Sequence, residues 1–292
     1  MIYLKSFYLP SLDEEELDNP TPHAYPYGIF PYKDLQQIRF RPVTIFYGGN
    51  GSGKSTLLNL IAEKLKLPRN TLFNTNSKFD GYVDKFCSFV TETDEDGLHM
   101  DIPLGSKIIT SEDIFDSILT VRDENQKIDK RKIQQEKEYL EARYGHVRFG
   151  SLDDYEDLKK QNAARRQTMT YFVTDRAGKN IDQFSNGETA LAYFDRTFES
   201  GRLYLLDEPE NSLSPKFQLQ LAQLITQCAH YLGCQFIIAS HSPFILSLED
   251  AQVYDLDSVP ARVKEWHQLE NMKIYYDLFH SFQHDFQQND KE

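Results

Sequence analysis

The chain opens on a short alternation of apolar and polar positions. "IYLKSFYL" at residues 2–9 is rich in β-branched and aromatic residues and predicts a strand. Residues 19–32, "NPTPHAYPYGIFPY", are broken by prolines and predict a loop. "DLQQIRFRP" then predicts a short strand, and the unbroken apolar run "VTIFYG" a buried one. Leu57, Leu58, Leu60, Ile61 and Leu65 recur at helical spacing and predict a helix that stops before Pro68. "DKFCSFVTETD" and "LHMDIPL" read as strands, and "SEDIFDSIL" as the start of a helix capped by Ser111. From residue 122 the pattern becomes charged and helix-favouring, punctuated by Gly145 and Gly150. It resumes at "SLDDYEDLKKQNAARRQ", with Ser151 as cap and Asp154 in the capping-box place.

The last third returns to alternation. A helix begins near Asn186, and "RLYLLDE" is a buried strand. Ser214-Pro215 opens a helix that closes at Gly233. "QFIIAS" and "AQVYDLD" are further strands, and a helix is expected within 266–292. Apolar strands alternating with helices predict an α/β class, a mostly parallel sheet covered by helices on both faces. The expected organisation is one domain over 1–292, with residues 111–170 as a small inserted helical lobe.

Charge sharpens that picture. The 292 residues carry a net charge of −13. Residues 122–168 hold 12 Lys+Arg against 10 Asp+Glu, so the rest of the chain is strongly acidic and this segment alone is not. No apolar run is long enough to span a bilayer. The N-terminus meets four acids at Asp13–Glu16 and does not read as a signal peptide. Cys87, Cys228 and Cys234 are scattered, as expected of reduced thiols. The expectation is a cytoplasmic protein without direct membrane insertion.

The chemistry begins at "GGNGSGKS", which fits G-x-x-x-x-G-K-[ST] from Gly48 to Ser55 between a predicted strand and a predicted helix. Backbone N–H groups there converge on a phosphate, and the helix N-terminus adds partial positive charge. Gly48, Asn50, Gly51, Ser52, Gly53, Lys54, Ser55 and Thr56 are therefore expected to bind ATP. Lys54 reaches the β- and γ-phosphates, and Ser55 offers its hydroxyl to Mg²⁺. In "LYLLDEPE" an apolar strand ends at Asp207 and Glu208, at the carboxyl edge where ligands bind in such sheets. Asp207 is expected to hold Mg²⁺ and Glu208 to orient the attacking water. "IIASHSPFI" delivers His241 to the same edge, where it can contact the γ-phosphate or that water. Catalysis is thus assigned to Glu208, His241 and Lys54. Further on, "FSNGE" offers Ser185, the Gly187 N–H and a helix start: an anion site with no phosphate of its own. It makes sense facing the nucleotide of a second copy across a two-fold interface.

The motif order "GGNGSGKST", "FSNGE", "LYLLDEPE", "NSLS", "SHS" resembles the ATP-binding cassette superfamily, most closely its soluble SMC- and RecF-like branch and the small stand-alone bacterial AAA-type predicted ATPases. The likeness covers roughly residues 1–110 and 171–260. It implies that Ser185 and Gly187 touch the partner copy's γ-phosphate, that His241 is a switch histidine, and that Asn211–Ser214 couple the two sites. Transporter cassettes carry LSGGQ and SALD where this chain has FSNGE and NSLS, and Ser214 stands where the family often has aspartate. The family's metal-contacting glutamine has no clear match; Glu112 or Asp113 lies in its place. The implied function is Mg-dependent ATP hydrolysis coupled to head-to-head homodimerisation, switching an unknown protein partner in nucleic-acid maintenance or phage defence. Two alternatives are a transporter's nucleotide-binding subunit and a non-hydrolysing ATP-binding module.

Several features have blander readings. Tyr25 and Tyr27 are candidates to stack on adenine, against an aromatic loop packed on the core. Lys130–Lys132 and Arg165-Arg166 could meet a nucleic-acid backbone, but they interleave with acids as a solvated helix pair does. His280 and His284 sit four apart on the tail helix with no third metal ligand in view, which favours a solvated tail.

Overall fold

The computed structural model describes residues 1–18, 25–71, 79–145, 155–178 and 185–288. The strands among them are β1 (Leu4–Tyr8), β2 (Gln37–Arg39), β3 (Val43–Tyr47), β4 (Ser88–Thr91), β5 (Lys107–Thr110), β6 (Leu203–Asp207), β7 (Gln235–Ala239), β8 (Gln252–Asp255) and β9 (Arg262–Val263). They form two sheets. One is antiparallel, ordered β2-β1-β4; the other is ordered β5-β6-β7-β3-β8-β9 and is parallel except where β9 closes antiparallel on β8. This is the α/β, mostly parallel architecture expected from the apolar pattern.

The chain divides into two compact units, residues 1–115 with 190–292, and residues 116–189. In the first, β3 and β7 are buried at every position, which is why they read as continuous apolar runs rather than alternations. Phe7 and Ile38 of the small sheet share one core with Phe46, Leu205 and Ile237 of the large sheet and with Leu57 and Leu58 of the helix Lys54–Lys64. Gln235, fully buried in β7, joins the sheets. Its Oε1 accepts from the Tyr3 and Leu4 backbone N–H groups at 2.8 and 2.9 Å, and its Nε2 donates to the Leu4 carbonyl at 2.9 Å. A buried amide so satisfied carries little desolvation penalty.

The second unit is helical. Helix Ser111–Tyr144 enters it, and Tyr155–Arg166 and Met169–Ala177 follow. Its small core holds Tyr139, Ala164 and Phe172, with the Arg176 guanidinium 3.7 Å from the Phe172 ring centre. Lys127 pairs with Asp123 and Lys132 with Asp129 along the first helix.

Some sequence expectations need correcting. "LHMDIPL" is not a strand; it makes one isolated bridge, Thr93 to His99, and β5 forms after it instead. The first part of "DKFCSFVTETD" belongs to a helix, Phe79–Phe86, and only Ser88–Thr91 pairs as a strand. Ser111 is not the cap of its helix. Thr110 and Asp113 form the capping box: the Thr110 N–H donates to Asp113 Oδ2 at 2.8 Å, and the Asp113 N–H donates to Thr110 Oγ1 at 3.4 Å. Ser214 occupies the N-cap position before Pro215, but its side chain makes no capping hydrogen bond. The acidic run begins a helix, Leu12–Asp18, in which Glu15 is buried and accepts from Tyr82 and the Gly28 N–H, both at 2.6 Å. The expected Ser151–Asp154 cap lies outside the described residues.

Candidate functional site

The strand order β6-β7-β3 gathers the motif ends on one edge. Parallel pairing sets Ala239 of β7 opposite both Asp207 of β6 and Phe46 of β3. The phosphate loop leaves β3 just past this level and turns into the helix Lys54–Lys64. Gly48 is required by close approach, since a Cβ there would lie 2.4 Å from Ser52 Oγ. Gly53 precedes the helix at φ +96°, a left-handed conformation that glycine alone adopts cheaply.

Lys54 is 5% exposed and curls back into the loop. Its Nζ donates to the Gly48 carbonyl at 2.7 Å and the Gly49 carbonyl at 3.2 Å. Glu208 Oε1 stands 3.7 Å from the same ammonium. Asn211 Nδ2 donates to Glu208 Oε2 at 3.0 Å, so the carboxylate is held at both oxygens. Glu208 itself sits at φ +46°, an unfavourable conformation for a side chain with a Cβ, of the kind that gathers at functional sites. Its N–H donates to the Ala239 carbonyl at 2.9 Å, which helps hold it there. His241 Nδ1 lies 3.9 Å from Glu208 Oε1, and about half of the ring is exposed. Lys54, Glu208 and His241, read separately from the sequence, thus meet around one carboxylate.

Ser55 and Asp207 also meet. Ser55 Oγ donates to Asp207 Oδ1 at 2.9 Å. Burial pushes the Asp207 carboxyl up to about 6; the Ser55 hydroxyl and the Lys54 charge oppose the rise, and the charges of Glu208 and Glu112 add to it. A hard oxygen pair short of positive charge fits a divalent cation. Of the two candidates in the glutamine's place, Glu112 is the one whose charge is felt at Asp207. Asp113 is 5% exposed and spent on Thr110 and Thr71.

The native carboxyl of Asp207 titrates above its ordinary value of 3.8, so the folded state holds that proton more tightly than the unfolded chain. Its contribution to stability is lost as pH rises from about 4 to about 6 and stays lost above that. Asp207→Asn keeps an acceptor for Ser55 and removes the charge. It is expected to raise stability at pH 7.5 by about 2–3 kcal/mol and to flatten this part of the pH profile. Urea midpoints at pH 5 and pH 7.5 check it, and an unchanged midpoint at pH 7.5 refutes it.

Three residues at this edge escaped the sequence reading. Asp257, just past β8, accepts from the Gly49 N–H at 2.8 Å and so anchors the phosphate loop. Asn211 was grouped with a coupling loop, but its amide reaches Glu208. Glu210 is buried among the backbone groups beside His241. The first two act across long sequence separation or through a turn that no pattern reports; for Glu210 the "DEPE" run was a visible signal.

Ser185 and Glu188 form a capping box for the helix Asn186–Thr197. The Ser185 N–H and Oγ donate to Glu188 Oε2 at 2.8 and 3.0 Å, and the Glu188 N–H donates to Ser185 Oγ at 3.4 Å. Ser185 is exposed and Gly187 buried. Tyr25 stacks on Phe79 at 5.7 Å and Tyr27 meets Tyr82 edge-on at 4.9 Å, which is the core-packed arrangement. The helix carrying His280 ends at Ser281, and His284 lies on the next, Gln283–Gln288. No cluster of three metal-ligating side chains occurs among the described residues. The three cysteines are buried thiols, and burial pushes Cys87 up to about 12.

Residues 76–247, more than half of the chain, match the model of a family described as "AAA domain, putative AbiEii toxin, Type IV TA system". The chain belongs to that family. The match begins after the phosphate loop and ends just past His241, so it spans the signature, the Asp207–Glu208 strand end and the histidine turn. The family is one of AAA domains, and the phosphate-loop motif at Gly48–Ser55 lies ahead of the matched residues. Nothing among curated proteins matches the chain. It is similar to the SMC head domain from Thermotoga maritima, at 14% identity and TM-score 0.41, covering 90% of this chain and 99% of that one. It is similar to the Pyrococcus furiosus Smc head bound to the ScpA C-terminal domain, at 15% identity and TM-score 0.42, covering 95% and 100%. It also resembles the ATP-binding cassette MJ0796, in a dimeric post-hydrolysis state bound to ADP and Pi, at 14% identity and TM-score 0.36, covering 80% and 90%. At such distances the site rests on this chain's own residues. No helix among the described residues is long and apolar enough to cross a membrane.

Proposed function

We propose that this protein hydrolyses ATP with Mg²⁺, that ATP draws two copies together head to head, and that the cycle switches a protein partner. The reading is carried by one observation: Lys54 Nζ and His241 Nδ1 lie 3.7 and 3.9 Å from the same oxygen of Glu208, at the mouth of the phosphate loop. Lys54 would bind the β- and γ-phosphates. Glu208 would orient a water for attack, held by Asn211 from behind. His241 would contact the γ-phosphate or that water. Ser55 and Asp207 would hold Mg²⁺, which supplies positive charge to the phosphate oxygens. Most of the work is positioning and charge neutralisation, and these residues provide both.

Ser185 and Gly187 would complete the second copy's site. Without nucleotide the Ser185 N–H and hydroxyl are held on the Glu188 carboxylate, so a phosphate arriving from the second copy would have to displace Glu188 to take these donors. The family's description as a putative toxin of a type IV toxin–antitoxin system supports a role that a second factor controls. Ser185→Arg puts a long cation where a second copy must approach. It is expected to keep ATP affinity within about threefold and to weaken ATP-dependent dimers at least about a hundredfold. Light scattering with and without Mg·ATP reads this directly, and dimers as strong as those of wild type would rule Ser185 out of the interface.

A further inference from the structure

We infer that Glu210 is a positioning residue for His241, holding the imidazole through Nδ1 so that Nε2 is the nitrogen presented to the nucleotide. What His241 touches rests on the ATPase reading above; how it is held rests on the geometry alone.

Glu210 is 4% exposed. A carboxylate is costly to bury unless donors surround it. Here the donors come from one turn. Ser240 Oγ, the His241 N–H and the Ser242 N–H all donate to Glu210 Oε1, at 2.7, 2.9 and 3.2 Å. The single oxygen thus grips the backbone on both sides of His241. Oε2 finds no hydrogen-bond partner among the described residues, so the carboxylate is oriented by the 240–242 turn. The grip is braced from behind. Ser242 Oγ donates to Gln218 Oε1 at 2.6 Å, Gln218 Nε2 donates to the Leu213 carbonyl at 2.9 Å, and the Leu213 N–H returns to the Glu210 carbonyl at 2.9 Å.

The ring follows from the backbone. His241 Nδ1 lies 3.5 Å from Glu210 Oε1 and 3.9 Å from Glu208 Oε1. Two acidic oxygens on one side favour a proton on Nδ1, against the Nε2–H form that a free neutral imidazole prefers. Nε2 is left on the far side. In the neutral ring it accepts a hydrogen bond from water; in the charged ring it donates to a phosphate oxygen. This is the logic of an acid orienting a histidine, with a buried glutamate as the orienting acid.

The decisive measurement is ¹⁵N NMR of the His241 ring in ligand-free protein, for wild type, Glu210→Gln and Glu210→Met, with thermal melts to verify folding. Wild type is expected to carry the proton on Nδ1. Glu210→Gln keeps an acceptor but loses the charge, so it is expected to shift part of the population to the Nε2–H form. Glu210→Met, if folded, is expected to shift it further. A Glu210→Gln spectrum that superimposes on that of wild type overturns the inference. A second readout is turnover. Glu210→Gln is expected to lower kcat about tenfold with KM for ATP within about twofold, and to have no further effect in a His241→Ala background. Independent, multiplicative losses would show that Glu210 acts elsewhere and also overturn the inference. A wild-type protein that releases no phosphate would sink the ATPase reading, while the NMR result would still decide how His241 is held.

Discussion

Glu208→Gln is expected to bind Mg·ATP at least as tightly as wild type and to release phosphate about a hundred- to a thousandfold more slowly. Gln matches Glu in size and can keep the amide contact from Asn211. It cannot accept a proton or align water with a full negative charge. Binding is expected to hold or improve because Glu208 stands 3.7 Å from the Lys54 ammonium. Without that negative charge, the lysine is freer to meet a phosphate. Turnover at the wild-type rate would remove Glu208 from the mechanism. Weakened binding would mean that the Lys54–Glu208 pair organises the loop rather than the chemistry.

Lys54→Ala is expected to act on the other half of the cycle. The side chain is buried within the loop and donates to the Gly48 and Gly49 carbonyls. Its removal takes away both the charge facing the phosphates and the brace across the loop. A charge-assisted hydrogen bond contributes about 1.5–3 kcal/mol, so ATP affinity should fall about ten- to a hundredfold. Lys54→Arg should not restore it, because a planar guanidinium does not fit where a compact ammonium sits between two carbonyls. Isothermal titration with a non-hydrolysable ATP analogue measures the loss. Unchanged affinity would place the nucleotide elsewhere.

The two variants separate because their residues come from different strands, and that also explains what the sequence made legible. The phosphate loop and the Asp207–Glu208 strand end are local patterns: an apolar run, then polar residues at fixed spacing. Each could be placed at a strand's carboxyl end without knowing the strand's neighbours. The order β6-β7-β3, which brings Glu208 within reach of Lys54 and His241, comes from parallel pairing across long connections, and no local period encodes it. The same holds for Asp257 on Gly49, 208 residues apart. β5 was missed because four residues, "KIIT", are too short for a period to register. Nothing in the acidic run marks Glu15 as buried; Tyr82 and the Gly28 N–H converge on it from other segments. Where partners lie along one turn, as Ser185 and Glu188 do, the sequence suggests them.

The central claim is that ATP both closes a pair of these molecules and is consumed by the pair. Sedimentation of Glu208→Gln with and without Mg·ATP tests it most directly, because slow turnover should hold the closed state long enough to observe. The account predicts monomers without nucleotide and dimers with it, and dimers that disappear when Ser185→Arg is added. Monomers at saturating Mg·ATP would contradict it.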